Sequence, residues 1–131
     1  MTRLAYVDAS AIVRLVLDEP GSEPMMRWFV ESERVVASVL GIIETRRAVG
    51  RHERDIARLD AVLETFVTVE LDPVVARRAA LLAPSTLRTL DAIHLATAIA
   101  LGPELDAFVT YDDRLADAAR AVGLPVVSPG P

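Results

Sequence analysis

Residues 4–18 read LAYVDASAIVRLVLD. The first five, LAYVD, form a short apolar run ending in an acid, as a strand buried on both faces would. In SAIVRLVLD (10–18), Ile12, Val13 and Val16 recur at helical spacing, and Ser10 stands near the helix start as a cap. A strand that feeds directly into a helix is the repeating unit of an α/β fold, so the fold turns on whether the alternation continues.

It does. After the turn cluster EPGSEP (19–24), MMRWFVES (25–32) predicts a short helix and RVVAS (34–38) a second strand. LGIIETRRAV (40–49) is a helix that Gly50 can stop. DIARLDAVLETF (55–66) carries the stripe Ile56, Leu59, Val62, Leu63 and Phe66, and VTVEL (67–71) follows as a third strand. In DPVVARRAALLA (72–83), Asp72 caps and Pro73 takes the first helical position. Beyond a break at Pro84–Ser85 come the helix TLDAIHLATAIA (89–100), the strand DAFVTY (106–111), the helix DDRLADAARAV (112–122) and a last short strand, LPVVS (124–128). The expectation is one α/β domain over residues 1–131. Its central parallel sheet has four or five strands flanked by helices, and ligands sit beyond the C-terminal strand ends.

Composition narrows the chemistry. A chain of 131 residues that is 52% hydrophobic can bury a core. No apolar run approaches the roughly 18 residues of a membrane span, and Asp8 and Arg14 interrupt the place where a signal peptide would be apolar. With no cysteine, disulfides, thiolate metal sites and cysteine nucleophiles are excluded, which is compatible with the cytoplasm. A net charge of −5 argues against a general nucleic-acid binder. All 14 basic residues are arginine. The absence of lysine argues against a phosphoacceptor receiver domain, a haloacid-dehalogenase-type phosphatase and a P-loop enzyme, and no G-x-S-x-G elbow is present for a serine hydrolase.

Asp91 is the odd residue in an otherwise apolar helix. A helix apolar all round is expected to be buried, and a buried carboxylate needs a partner or an exposed end. One reading is a first-turn acid favoured by the helix dipole, with Thr89 as cap. Three other acids point elsewhere. Asp8 ends the first strand, Asp112 follows the fourth, and Glu44 lies about one turn beyond the second, where pairing with Arg47 or Arg51 is the plain alternative. Asp8 and Asp112 also suit simple N-caps. Four carboxylates converging without a cation would repel one another, and an all-oxygen set favours Mg²⁺ or Mn²⁺ over zinc.

The segments YVDASAIV, IIETRRA, LDAIHLATA and FVTYDDRLADAA, in this order and spacing, resemble those of PIN-domain ribonucleases, most of all the VapC toxins of bacterial toxin–antitoxin pairs. The resemblance covers essentially the whole chain. It implies that Asp8, Glu44, Asp91 and Asp112 form an acidic metal-binding quartet, with Asp112 preferred over Asp113 because it stands two residues after Thr110. Ser10 and Thr110 match supporting positions that hydrogen-bond carboxylates or ordered water. The implied activity is Mg²⁺- or Mn²⁺-dependent endoribonuclease chemistry leaving 5′-phosphate and 3′-hydroxyl ends. The implied partners are a VapB-like antitoxin, a second copy of the chain, and operator DNA reached only through the antitoxin. The rival function is a catalytically silent PIN-like binding module.

Other residues carry weaker expectations. His94, one turn from Asp91, is expected to be structural or to act behind the carboxylates, and His52 to be exposed. Within the basic stretch Arg46, Arg47, Arg51, Arg54 and Arg58, Arg47 is the candidate for gripping RNA phosphates, together with Arg88 before Asp91. Met25, Met26, Trp28 and Phe29 are expected in the core, although the resemblance gives that region a role in a dimer or an antitoxin groove.

Overall fold

A computed structural model describes residues 2–130, so residues 1 and 131 of the expected domain lie outside the described residues. The sheet is built from β1 (Leu4–Val7), β2 (Arg34–Ser38), β3 (Val67–Val69), β4 (Ala107–Val109) and β5 (Val126–Val127). All neighbouring strands run parallel, in the order β3-β2-β1-β4-β5. The helices are α1 (Ala9–Val16), α2 (Ser22–Glu31), α3 (Val39–Val49), α4 (Glu53–Leu63), α5 (Pro73–Leu81), α6 (Thr89–Ala100) and α7 (Asp113–Ala121). Among the described residues no helix is long and apolar enough to cross a membrane.

Strand parity explains why the strands read as unbroken apolar runs. Ala5 and Val7, Val35 and Ala37, and Ala107 and Val109 enter a core shared with Ile12, Leu15 and Met25. The intervening Tyr6, Val36 and Phe108 enter a second core with Leu95, Ala98 and Leu115. The three central strands β1, β2 and β4 are therefore apolar on both faces, as a covered parallel sheet requires, while the edge strand β3 is more exposed. Right-handed crossovers account for the layers. The chain moves from β1 to β2 to β3 in one direction, which sets α1–α4 on the first face. It then returns to β4 and β5 on the other side of β1, which sets α6 and α7 on the second face.

The strand order consequently reverses about β1, with the topological switch between β1 and β4. Beyond the C-terminal ends of these strands no crossover covers the crevice. Asp8 follows β1, Ser38 ends β2, and Thr110 to Asp112 follow β4.

Most local expectations hold, including Asp72 as the cap of α5 with Pro73 behind it and Gly50 at positive φ ending α3. Two caps differ. The N-cap of α1 is Asp8, whose carboxylate accepts the Ala11 N–H, while Ser10 lies inside the helix. The N-cap of α6 is Arg88 rather than Thr89, and it makes no side-chain cap bond. Asp91 is left as the anionic group in that first turn. Helix α2 begins at Ser22, three residues before its apolar run, because the turn residues are already helical there.

Candidate active site

Asp8 leaves β1 with its side chain almost fully enclosed, at 4% exposure. Its Oδ1 accepts the Ser10 hydroxyl at 2.7 Å and the Ala11 N–H at 3.0 Å, and its Oδ2 accepts the Thr110 hydroxyl at 2.6 Å. Each hydroxyl then uses its oxygen once more: Ser10 Oγ accepts the Tyr111 N–H at 2.8 Å, and Thr110 Oγ1 accepts the Asp112 N–H at 3.0 Å. Ser10 and Thr110 thus lace the ends of β1 and β4 together at the switch point and hold Asp8 in one orientation. Burial pushes the Asp8 carboxyl up from the usual range, and the bonds from Ser10, Thr110 and Ala11 pull it partly back.

Asp91 as a whole is 8% exposed, and among the described residues no donor hydrogen-bonds its carboxylate; since no enclosed side-chain oxygen there lacks a partner, that carboxylate opens to solvent at the helix start. Burial raises its pKa first, and the negative charge of Asp112 raises it further, against weaker attraction from His94, Arg88 and Arg114. Asp112 caps α7, with Oδ1 accepting the N–H groups of Arg114 at 2.9 Å and Leu115 at 3.2 Å. Asp113 is merely a first-turn residue of the same helix, so it is Asp112 that meets Asp91 electrostatically.

Glu44 is half-buried on α3, and its partner is neither Arg47 nor Arg51. Its Oε1 lies 2.7 Å from Nε2 of the buried His94. The other ring nitrogen of His94, Nδ1, lies 2.6 Å from the hydroxyl of Tyr6, which is wholly enclosed. Burial raises the Tyr6 phenol well above its ordinary value. The nearby Ser38 hydroxyl opposes that rise, and the charges of Asp8 and Glu44 add to it. Gly41, in the first turn of α3, faces His94 and Ser38: a Cβ there would stand in ordinary contact, 3.4 Å from His94 Cε1 and 3.5 Å from Ser38 Oγ.

Asp8, Glu44, Asp91 and Asp112 therefore share one region, linked through Tyr6, His94 and their mutual charge. Among the described residues, however, no three His, Asp or Glu side chains are close enough together to enclose a metal ion. The expected quartet is not pre-assembled as a cage. Asp8 is tied to the hydroxyls of Ser10 and Thr110, Asp112 to the start of α7, and Glu44 to His94. An apolar cavity of 520 Å³ between α5 and α6 is lined by Leu71, Ala80, Leu81, Leu87 and Ile93, and none of the four acids reaches it.

The basic stretch is largely committed elsewhere. Arg46 pairs with Asp60 at 3.0 Å, Arg54 lies 3.7 Å from Asp55, and Arg58 donates to the Val16 carbonyl. Arg47 and Arg88 are exposed and, among the described residues, have no carboxylate within 4.0 Å. His52 is exposed. Met25 is buried and Trp28 and Phe29 pack against the core, but Met26 and Val30 face solvent. Tyr6 is the site residue that sequence reading missed. Its signal was strand parity, since it lies two residues before Asp8 on the same face.

The PIN-domain family profile matches residues 5–121. The chain is 41% identical to Ribonuclease VapC46 of Mycobacterium tuberculosis (strain ATCC 25618 / H37Rv), over 95% of this chain and 96% of that protein. The fold superposes on the crystal structure of Mycobacterium tuberculosis VapC20, described as a Sarcin-Ricin loop cleaving toxin, with a TM-score of 0.74, 18% identity and coverage of 95% and 99%. It also superposes on VapBC2 from Rickettsia felis bound to a DNA fragment from their promoter, with a TM-score of 0.71, 13% identity and coverage of 95% and 98%. With the strand order, the acids at the switch point and these likenesses in agreement, the chain belongs to the PIN-domain family, on its VapC branch.

Proposed function

We propose that this protein is a divalent-metal-dependent endoribonuclease, the toxin of a VapBC-type pair. One observation carries the reading: Asp91, at a buried first-turn position, presents a partly desolvated carboxylate that no donor hydrogen-bonds and that feels the like charge of Asp112 at the switch point of a parallel sheet. An ionised group in that setting calls for a cation. Asp8 and Asp91 would be the principal ligands for Mg²⁺ or Mn²⁺, with Glu44 and Asp112 completing the acidic set. All the donors are hard oxygens, and their lack of a preformed cage suits Mg²⁺, which keeps several of its waters. When bound, such an ion supplies Lewis-acid polarisation of a phosphodiester oxygen and a more acidic water.

The chain's own residues have separate tasks in this reading. Ser10 and Thr110 fix Asp8, so that ligand does not have to be ordered when substrate arrives. Arg47 and Arg88 offer guanidinium groups with no internal partner for RNA phosphates on either flank, outside a site whose net charge is negative. Glu44 and Asp112, each with an oxygen not used in a hydrogen bond, can orient the attacking water. The VapBC2 complex supports a cognate antitoxin, which would bring the toxin to operator DNA, and an RNA substrate implies the cytoplasm.

The test is RNA cleavage by the purified chain with Mg²⁺, with a chelator, and in Asp91→Asn. Cleavage is expected only in the first. Equal cleavage in all three would refute the metal mechanism. No cleavage at all, with an antitoxin peptide still bound, would establish the silent binding module.

A further inference from the structure

Resting on that reading, we infer that Tyr6 and His94 form a positioning relay for Glu44, with Tyr6 locking His94 in the tautomer that carries its proton on Nε2. The Tyr6 hydroxyl meets Nδ1 at 2.6 Å and the Glu44 carboxylate meets Nε2 at 2.7 Å. A carboxylate only accepts, and among the described residues the enclosed Tyr6 hydroxyl has His94 Nδ1 as its one hydrogen-bond partner, so the phenol proton has to go to Nδ1 and the imidazole proton to Nε2. Tyr6 O–H donates to Nδ1, and Nε2–H donates to Glu44. Beside the relay, Ser38 Oγ accepts the Gly41 N–H at the start of α3. Among the described residues no buried side-chain nitrogen or oxygen lacks a partner, so the relay closes without an additional group.

The packing fixes the relay in place. Tyr6 stacks on Phe108 with ring centroids 5.4 Å apart, meets the His94 ring edge-on, and is wholly enclosed. The phenol cannot rotate away, and Gly41 packs beside the imidazole. A glutamate on a long, half-exposed stem is thereby held by a rigid donor rooted beneath the sheet edge. Tyr6 and His94 touch no reacting atom in this scheme. They aim Glu44, as hydrogen-bonded partners behind a metal's ligands commonly do.

The experiment uses the full chain with Tyr6→Phe, His94→Gln and His94→Leu. Nitrogen-15 NMR of the imidazole in the metal-free protein should show His94 protonated on Nε2 only, and Tyr6→Phe, which retains the aromatic stack, should mix the tautomers. Mn²⁺ affinity by titration and kcat should each fall about 10-fold in Tyr6→Phe, with KM for RNA unchanged. His94→Gln, whose amide can still donate to Glu44, should recover most of what His94→Leu loses. Wild-type protein that cuts RNA with His94 protonated on Nδ1 or on both nitrogens overturns the relay alone. So does equal Mn²⁺ affinity and turnover across the three variants. Wild-type protein that neither binds Mn²⁺ nor cuts RNA overturns the nuclease reading, while the tautomer measurement still decides the relay.

Discussion

Replacing Asp91 with asparagine should remove cleavage and, in the same step, make the metal-free protein more stable. Two effects compete at this position. The first turn of α6 favours a negative charge by about 0.5 kcal/mol, since the helix dipole points its positive end there. Against this stand the partial desolvation of the carboxylate, the absence of any hydrogen-bond donor, and the like charge of Asp112. The Asp91 carboxyl is shifted upward on balance, so in the folded state the penalties win. Asparagine keeps the shape and removes the charge. The expected gain is about 1 kcal/mol, the usual size for relieving a functional site, or roughly 4 °C in Tm for a domain of this size. The assay is thermal melting by circular dichroism at pH 7 in low salt with a chelator. The sign with pH follows from linkage: a raised folded pKa means that the folded protein binds the proton more tightly, so the wild type loses stability as pH rises through that pKa. The gap between variant and wild type should therefore close as the solution is made acidic. With Mg²⁺ or Mn²⁺ added, the wild type should recover stability and the variant much less. An Asp91→Asn protein that melts below the wild type in chelator would refute the reasoning and return Asp91 to the role of an ordinary helix-start acid.

Three further outcomes are expected. Thr110→Val should destabilise by about 2 kcal/mol in urea titration, because it takes a donor from Asp8 and leaves the Asp112 N–H without its acceptor; Thr110→Ser should restore most of this. Gly21→Ala should cost about 1 kcal/mol or more in the same assay, since Gly21 sits at φ +93° and the new Cβ would meet Tyr111 Cε1 at 3.1 Å, beside the Arg14 guanidinium stacked 4.1 Å over that ring. Asp106→Ala should speed hydrogen exchange at Arg3 and Leu4, whose N–H groups the Asp106 carboxylate accepts at 2.9 and 3.0 Å. Those bonds hold its pKa low, so the tether is present above the unfolded carboxylate value and should be lost as pH falls through the folded one; unchanged exchange would show that β1 is anchored without it.

The alternation of LAYVD, RVVAS and VTVEL with amphipathic helices was sufficient by itself for a covered parallel sheet, because strand and helix periods are local and each segment carries its own. It also located Asp8 and Asp112 at strand ends and raised the problem of Asp91. What remained closed to sequence was every relation set by chain crossover. Reversal of strand order about β1 brings Thr110 onto Asp8 across about a hundred residues of chain, and it carries α6 over β1 so that His94 lands between Tyr6 and Glu44. For Glu44, sequence offered only arginines a few residues further along the chain, the partners that spacing can reach. The histidine that actually holds it lies 50 residues away. Side-chain pairing of that kind depends on which face each crossover covers and how closely α3 packs against α6. Only the folded chain decides those distances.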